Sequence, residues 1–399
     1  MSLKETQARA EEVARAAYGK LVAMLASRDG DLIAAEDALS DAFVAALRSW
    51  PERGIPDKPE AWLLTVARNR RTDSLRKDSR LLLTDEVPDM VQEFDIEESD
   101  THDERLKLLF VCAHPAIDRA VRTPLMLQTV LGLDAEQIAQ AFLASPTAMA
   151  QRLVRAKRKI KSARIPFLVP ERSEYEPRLE AVLEAIYGAY CVDWLEHAGE
   201  LSREALFLSS ILCELVPENP EVLALNALIA LIDARRAARV HDGVLVPVFE
   251  QDTNNWNARL IDHAHQQLRS ASQKKKLGRF QLEAAIQAVH AARIRTGRTD
   301  WRSLSKLYAG LMQVYPTIGA AVSRAAVVAQ DAGPEQGLSL LDAIEFSGLE
   351  SFQPAHAVRA HCLERMGMRN EALAAYSRAI DLCTDIPSRR WLQRKRDAL

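Results

Sequence analysis

Cysteine, glycine, proline and aromatic side chains are all scarce in this 399-residue chain, and long apolar runs are missing. The five cysteines, Cys112, Cys191, Cys213, Cys362 and Cys383, are odd in number and far apart. None forms a Cys-x-x-Cys pair, which argues against a disulfide framework and against a zinc site. The most apolar stretch, Val222–Ile232, is too short to span a bilayer and reads as a buried helix. The opening MSLKETQARAEEVARAA is too polar for a signal peptide. A reduced cytoplasm, with no membrane partner, is the expected setting. Catalytic signatures are missing as well: there is no Gly-rich phosphate loop, zinc motif or Gly-x-Ser-x-Gly elbow. Cys112-x-His114 stands before Pro115 without a third partner and reads as buried structure. His263 and His265 fall on different sides of a helix, and His290 is isolated. Neither an enzyme nor a cofactor is expected.

What the chain holds in quantity is Ala, Leu, Arg and Glu. Apolar residues make up 48 % and charged residues 27 %, the balance of a globular protein with two or three domains. The same composition predicts an all-α fold. The formal net charge of −3 hides a division. Residues 1–170 carry 25 Lys+Arg and 26 Asp+Glu, yet ten of those acids, and no base, fall in Asp85–Glu104. Without that segment the N-terminal part holds 25 bases against 16 acids. A basic module interrupted by an acidic linker is a different object from a neutral one.

Punctuation divides the chain further. Three helices are predicted first: Glu5–Ser27, a second from the capping residue Asp31 to about Trp50, and a third from Glu60 to about Ser79. The loop PERGIPDKP joins the last two, and the acidic TDEVPDMVQEFDIEESDTHDE follows as a tether. Four more helices are expected over Arg105–Ile165, with Gly132 ending one and Ser145-Pro146 opening the last. IPFLVPERSEYEP holds three prolines and marks a second boundary. Beyond Arg178 the pattern is one helical hairpin after another. The last pair, Pro354–Met366 and Asn370–Leu382, places Ala372, Tyr376 and Ala379 at the spacing of a tetratricopeptide repeat. Gly337, Leu341 and Ile344 keep the same register in an earlier unit. His241–Trp256 interrupts the pattern and is expected to form a small hairpin or an ordered loop.

Two segments carry recognition chemistry. LDAEQIAQAF, the turn Leu143-Ala144-Ser145 and PTAMAQRLVRAKRKIKSAR make a helix-turn-helix. Arg152–Arg164 contains seven bases and no acid, unlike an ordinary solvated face. Residues near the start of such a second helix read base edges, and later cations hold phosphates. Thr147, Ala148, Gln151, Arg152 and Arg155 are therefore candidate readers, and Lys157, Arg158, Lys159 and Lys161 candidate phosphate contacts. The second segment, Trp62–Arg80, buries Leu63, Leu64, Val66, Ala67 and Leu75 and leaves Arg68, Asn69, Arg70, Arg71, Arg76 and Lys77 outside. A basic helix behind a polar loop suits partly opened DNA. Trp62 reads either as a core residue or as a base-stacking one.

The order of DLIAAEDALSDAFVAALRSW, PEAWLLTVARNRRTDSLRK and the helix-turn-helix resembles sigma-70 family proteins of the extracytoplasmic-function group. DERLKLLFVCAHPAI and AQRLVRAKRKIKSARIPFLVP resemble its subgroup with a C-terminal tetratricopeptide-like extension, although IYGAYCVDW lacks the expected Asn-Glu-Gly-Tyr turn. The resemblance implies sigma region 2 over 1–83, a linker over 84–104, sigma region 4 over 105–168 and a helical-repeat domain over 178–399. It implies a non-enzymatic transcription initiation factor whose partners are core RNA polymerase and promoter DNA. A protein or peptide ligand is expected for the repeat domain, which would regulate the factor. Glu36, Asp37, Leu39, Asp41 and Phe43 match the polymerase-docking helix. Arg53, Lys58, Trp62, Arg68, Asn69, Arg71 and Arg76 match the minus-ten reader, and Thr147–Arg155 the minus-35 reader. Two rivals stay open, a stand-alone helix-turn-helix regulator and a repeat scaffold for protein interactions.

Overall fold

The computed structural model describes residues 13, 17–79, 98–142, 144–196 and 200–399. The start of the first expected helix, most of the acidic linker, Leu143 and the Arg76 side chain lie outside the described residues. The fold is all-α as expected. The described residues divide into two compact units, Met1–Ile211 and Leu212–Leu399.

In the first unit α1 (17–26) leads into α2 (Leu32–Arg53) and α3 (Pro59–Ser79). Asp31 caps α2 by accepting the Ala34 N–H at 3.1 Å. The helix runs three residues past the expected end at Trp50. Pro51 removes only one ladder bond, and the Gly54 N–H closes the last turn on the Trp50 carbonyl at 2.9 Å. Ala35, Leu39, Ala42, Ala46 and Trp50 form its buried stripe against Leu63, Leu64 and Ala67 of α3. Four helices follow, as the periodicity predicts: α4 (Glu98–Cys112), α5 (Arg119–Thr129), α6 (Ala135–Ala141) and α7 (Pro146–Ser162).

The proline-marked boundary near residue 178 does not separate the units. Tyr175 stacks on Phe110 with ring centroids 5.3 Å apart. Arg178, 7 % exposed, donates to the Phe110 carbonyl at 3.4 Å. Gly188 in α8 (Glu176–Glu196) faces the Leu127 methyls of α5. The expected start of the repeat domain is therefore packed on the helix-turn-helix half, because apolar surface on α5 has to be covered. The chain leaves the first unit within α9 (Glu200–Leu215).

The second unit stacks helices pairwise. α10 (Pro220–Asp233), capped by Asn219, is buried along nearly its whole length and packs on α11 (Ala258–Gln273) and α12 (Arg279–Ala291). The short α13 (Arg293–Thr296) turns the chain into α14 (Trp301–Val314), α15 (Ile318–Asp331), α16 (Pro334–Asp342), α17 (Gln353–Arg365), α18 (Arg369–Leu382) and α19 (Ile386–Asp397). Three successive apolar clusters, around Leu304, Val322 and Tyr376, join neighbouring helices only. That serial burial is how stacked repeats gain stability. Gly337 shows how tightly two of them approach, since a Cβ there would lie 2.8 Å from the Ala325 carbonyl. The insert forms the one sheet among the described residues, β1 (Val240–His241) with β2 (Val244–Leu245). Its turn uses Asp242 at φ 51° and Gly243 at φ 71°, the left-handed pair a two-residue hairpin requires.

Candidate nucleic-acid interface

The pair α6 and α7, where a helix-turn-helix is expected, is set by its caps. Asp134 accepts the backbone N–H groups of Glu136 and Gln137 at 2.9 and 2.8 Å, and Gln137 Oε1 accepts the Asp134 N–H at 3.1 Å. This reciprocal box starts α6. Ser145 Oγ accepts the Ala148 N–H at 3.2 Å, with Pro146 in the first turn, and starts α7. Met149, Leu153, Ala156 and Ile160 then bury one stripe of α7. Thr147, Gln151, Arg152, Arg155, Arg158 and Lys159 are exposed, and Ala148 is half-buried. The turn-proximal candidate readers and the candidate phosphate contacts Arg158 and Lys159 thus share an outer surface.

The expectation for Lys157 is corrected by its placement. Position 157 falls at the edge of the buried stripe, and its side chain is 7 % exposed. Its ammonium lies 2.6 Å from both oxygens of Glu36, itself a candidate polymerase contact. One turn on, Lys161 meets Asp31 at 2.5 Å. Burial pushes the Glu36 carboxyl upward, and the attraction of Lys157 does not restore it. Asp31 behaves oppositely. Its smaller burial is outweighed by Lys161 and the Ala34 N–H, which hold its carboxyl below the usual range. The cationic edge of α7 therefore rests on the acidic face of α2.

Backbone contacts seal the same junction. A Cβ on Gly19 of α1 would sit 1.7 Å from the Val130 carbonyl oxygen, so only glycine fits there. The Tyr18 ring covers Gly132, which turns the chain after α5 at φ 72°. Burial raises the Tyr18 hydroxyl pKa, and Glu36 and Asp37 raise it further. Sequence reasoning missed Gly19 and Tyr18 and read Asp31 only as a cap. The two acids stand five residues apart and the two lysines four, so no shared spacing announced the pairs.

Of the other candidates on α2, Asp37 and Asp41 are exposed, Phe43 is half-buried and Leu39 is wholly buried. Leu39 supports the helix from beneath instead of presenting a contact. The loop after α2 is open, with Arg53, Gly54, Asp57 and Lys58 exposed. Trp62 sits half-buried with its ring edge-on to Trp50 at 5.6 Å. Arg68 is half-buried, and burial followed by the charge of Arg28 lowers its pKa. Asn69 is exposed. Arg71 is corrected like Lys157: it donates to the Leu25 carbonyl at 2.5 Å and pairs with Asp29, clamping the turn between α1 and α2.

Cys112 is buried beside Thr129 at 3.4 Å, and burial pushes its thiol up to about 12. Among the described residues, no group of His, Cys, Asp and Glu is placed to hold a metal ion, and no helix is long and apolar enough to cross a membrane.

Comparison with known proteins adds three findings. Residues 13–81 match sigma-70 region 2, and residues 178–272 match a family of unknown function (DUF6596). An uncharacterized protein of Rhizobium meliloti (strain 1021) is 34 % identical over 380 residues, covering 92 % of this chain and 90 % of that protein. No solved structure matches.

Proposed function

We propose a function from one premise, that the chain belongs to the family of the uncharacterized Rhizobium meliloti protein and carries a sigma-70 region 2 of its own. The match to that region supports a sigma-factor role in transcription initiation. The finer reading is an extracytoplasmic-function sigma factor acting by recruitment. In it α2 docks on core RNA polymerase through Asp37, Asp41 and Phe43. α7 reads the minus-35 element with Thr147, Ala148, Gln151, Arg152 and Arg155, while Arg158 and Lys159 hold phosphates. The loop Glu52–Lys58, with Trp62 and Asn69, takes the opened minus-ten strand. The observation that carries the reading is the exposed basic face of a doubly capped helix-turn-helix behind a matched region 2. The tetratricopeptide-like second unit regulates the factor.

Competition tests polymerase binding. The purified chain is expected to displace the housekeeping sigma factor from core polymerase, and the paired reversal Asp37→Arg, Asp41→Arg to weaken this about a hundredfold. Failure of both proteins to bind favours the stand-alone regulator. On promoter DNA, Arg152→Ala is expected to cost about 1–3 kcal/mol with relaxed preference at one base pair. Equal loss on random duplex makes Arg152 a phosphate contact instead.

The pairing of Glu36 and Asp31 with Lys157 and Lys161 favours one addition, a closed resting state. In it the docking helix and the reading helix cover part of each other, and promoter binding requires them to part.

A further inference from the structure

The second unit holds a cavity that DNA recognition does not use. It measures about 300 Å³ and lies among α12, α14, α15, α17, α19 and the segment after β2. That size is within the range of small-molecule sites. Phe249, Trp301, Tyr308 and Trp391 give it an aromatic wall. Phe249 meets Trp301 edge-on at 5.8 Å, and His290 meets the same indole at 6.3 Å.

The polar atoms of the lining are unevenly satisfied. Gln330 and His361 bond each other at 3.0 Å. Glu364 accepts from the Tyr376 hydroxyl at 2.5 Å and from the cavity residue Lys395 at 3.5 Å. His290 is different. It is 8 % exposed, and its Nδ1 has no hydrogen-bond partner. Burial, then Arg235 and Arg293, push its pKa down to about 3, so the ring is neutral at ordinary pH. His290 thus brings a neutral imidazole to the lining of the cavity, able to share one hydrogen bond with a ligand.

The occupant follows from shape and charge. α19 packs on β2, and Arg390 donates to the Gly243 carbonyl at 3.3 Å across 147 residues. This contact holds α19 against the hairpin whose following segment lines the cavity, and a space of about 300 Å³ suits a small molecule. Glu250 and Lys395 contribute one charge of each sign, which favours a neutral molecule. A hydroxyl both donates and accepts, so it suits a neutral imidazole in either tautomer.

We propose that this cavity binds a small neutral aromatic hydroxyl compound, its ring against Trp301, Tyr308 and Trp391 and its hydroxyl on the His290 imidazole. The site stands independently of what the first unit binds.

Equilibrium dialysis of the full chain with 2-naphthol and with naphthalene tests it. One 2-naphthol per chain is expected, held about tenfold more tightly than naphthalene. His290→Phe should abolish that preference while keeping naphthalene binding. Ala326→Phe should fill the cavity and abolish both, with Ala357→Phe as the replacement if the first variant does not fold. Equal affinity for the two probes, binding indifferent to these substitutions, or no saturable binding up to probe solubility overturns the proposal. So does saturable binding of acetyl-Gly-Trp-Gly-amide without 2-naphthol binding, which would make the cavity a peptide site.

Discussion

Gly19→Ala is expected to open the first unit without unfolding its helices. The added Cβ would lie 1.7 Å from the Val130 carbonyl oxygen, a backbone atom that cannot swing aside as a side chain could. Within α1 itself the change is favourable, because alanine exceeds glycine in helix propensity by about 1 kcal/mol. The conflict therefore falls on the junction between α1 and the end of α5, where forced overpacking costs about 1–3 kcal/mol. If the closed form leaves only a few per cent of molecules competent to bind, removing it tightens promoter DNA binding by about ten- to thirtyfold. Small-angle scattering should show a larger radius, and far-ultraviolet circular dichroism should be unchanged. An unchanged radius together with unchanged DNA affinity would sink the closed resting state.

That junction shows where reading the sequence succeeds and where it stops. The caps at Asp31 and Ser145 were legible because they are local: Asp31 lies three residues from Ala34, and Ser145 three from Ala148. The buried stripe of α7 follows from the 3.6-residue period alone. Seven bases without an acid in Arg152–Arg164 correctly marked a cationic helix. The partner of each base was not written there. Lys157 lies 121 residues from Glu36, and Arg71 lies 42 from Asp29, so a count of charge along one helix could not distinguish them from Arg152 or Arg158. Gly19 was silent for a related reason. A glycine within a helix weakens the helix, and only the approach of a distant carbonyl explains its place. The cavity around His290 was the least legible, since its lining comes from elements between Pro247 and Lys395. Taken singly, His290 had no motif to announce it.

Removing one member of the Glu36–Lys157 pair should destabilise the first unit, and removing both should not. A buried charge that loses its partner typically costs about 3–5 kcal/mol. Glu36→Leu leaves the Lys157 ammonium, 7 % exposed, without its counter-charge and should show that cost in urea unfolding. Lys157→Met should cost less at low pH, because Glu36 can take up a proton instead of remaining charged. Its carboxyl pKa is already raised by burial, and loss of the lysine raises it further. A group whose folded pKa exceeds its unfolded one binds more protons when folded, so its contribution declines as pH rises. The Lys157→Met deficit should therefore widen from about pH 4.5 upward, towards the full cost of a buried carboxylate. The double variant Glu36→Leu, Lys157→Met replaces ions by apolar surface of similar size and should unfold no more easily than the parent. It should also hold α2 and α7 together more firmly, since opening would then expose apolar groups instead of releasing two ions into water. Weaker promoter binding with undiminished stability is the expected signature. Additive losses in the double variant would show that the two side chains are not coupled, and the ionic latch would have to be abandoned.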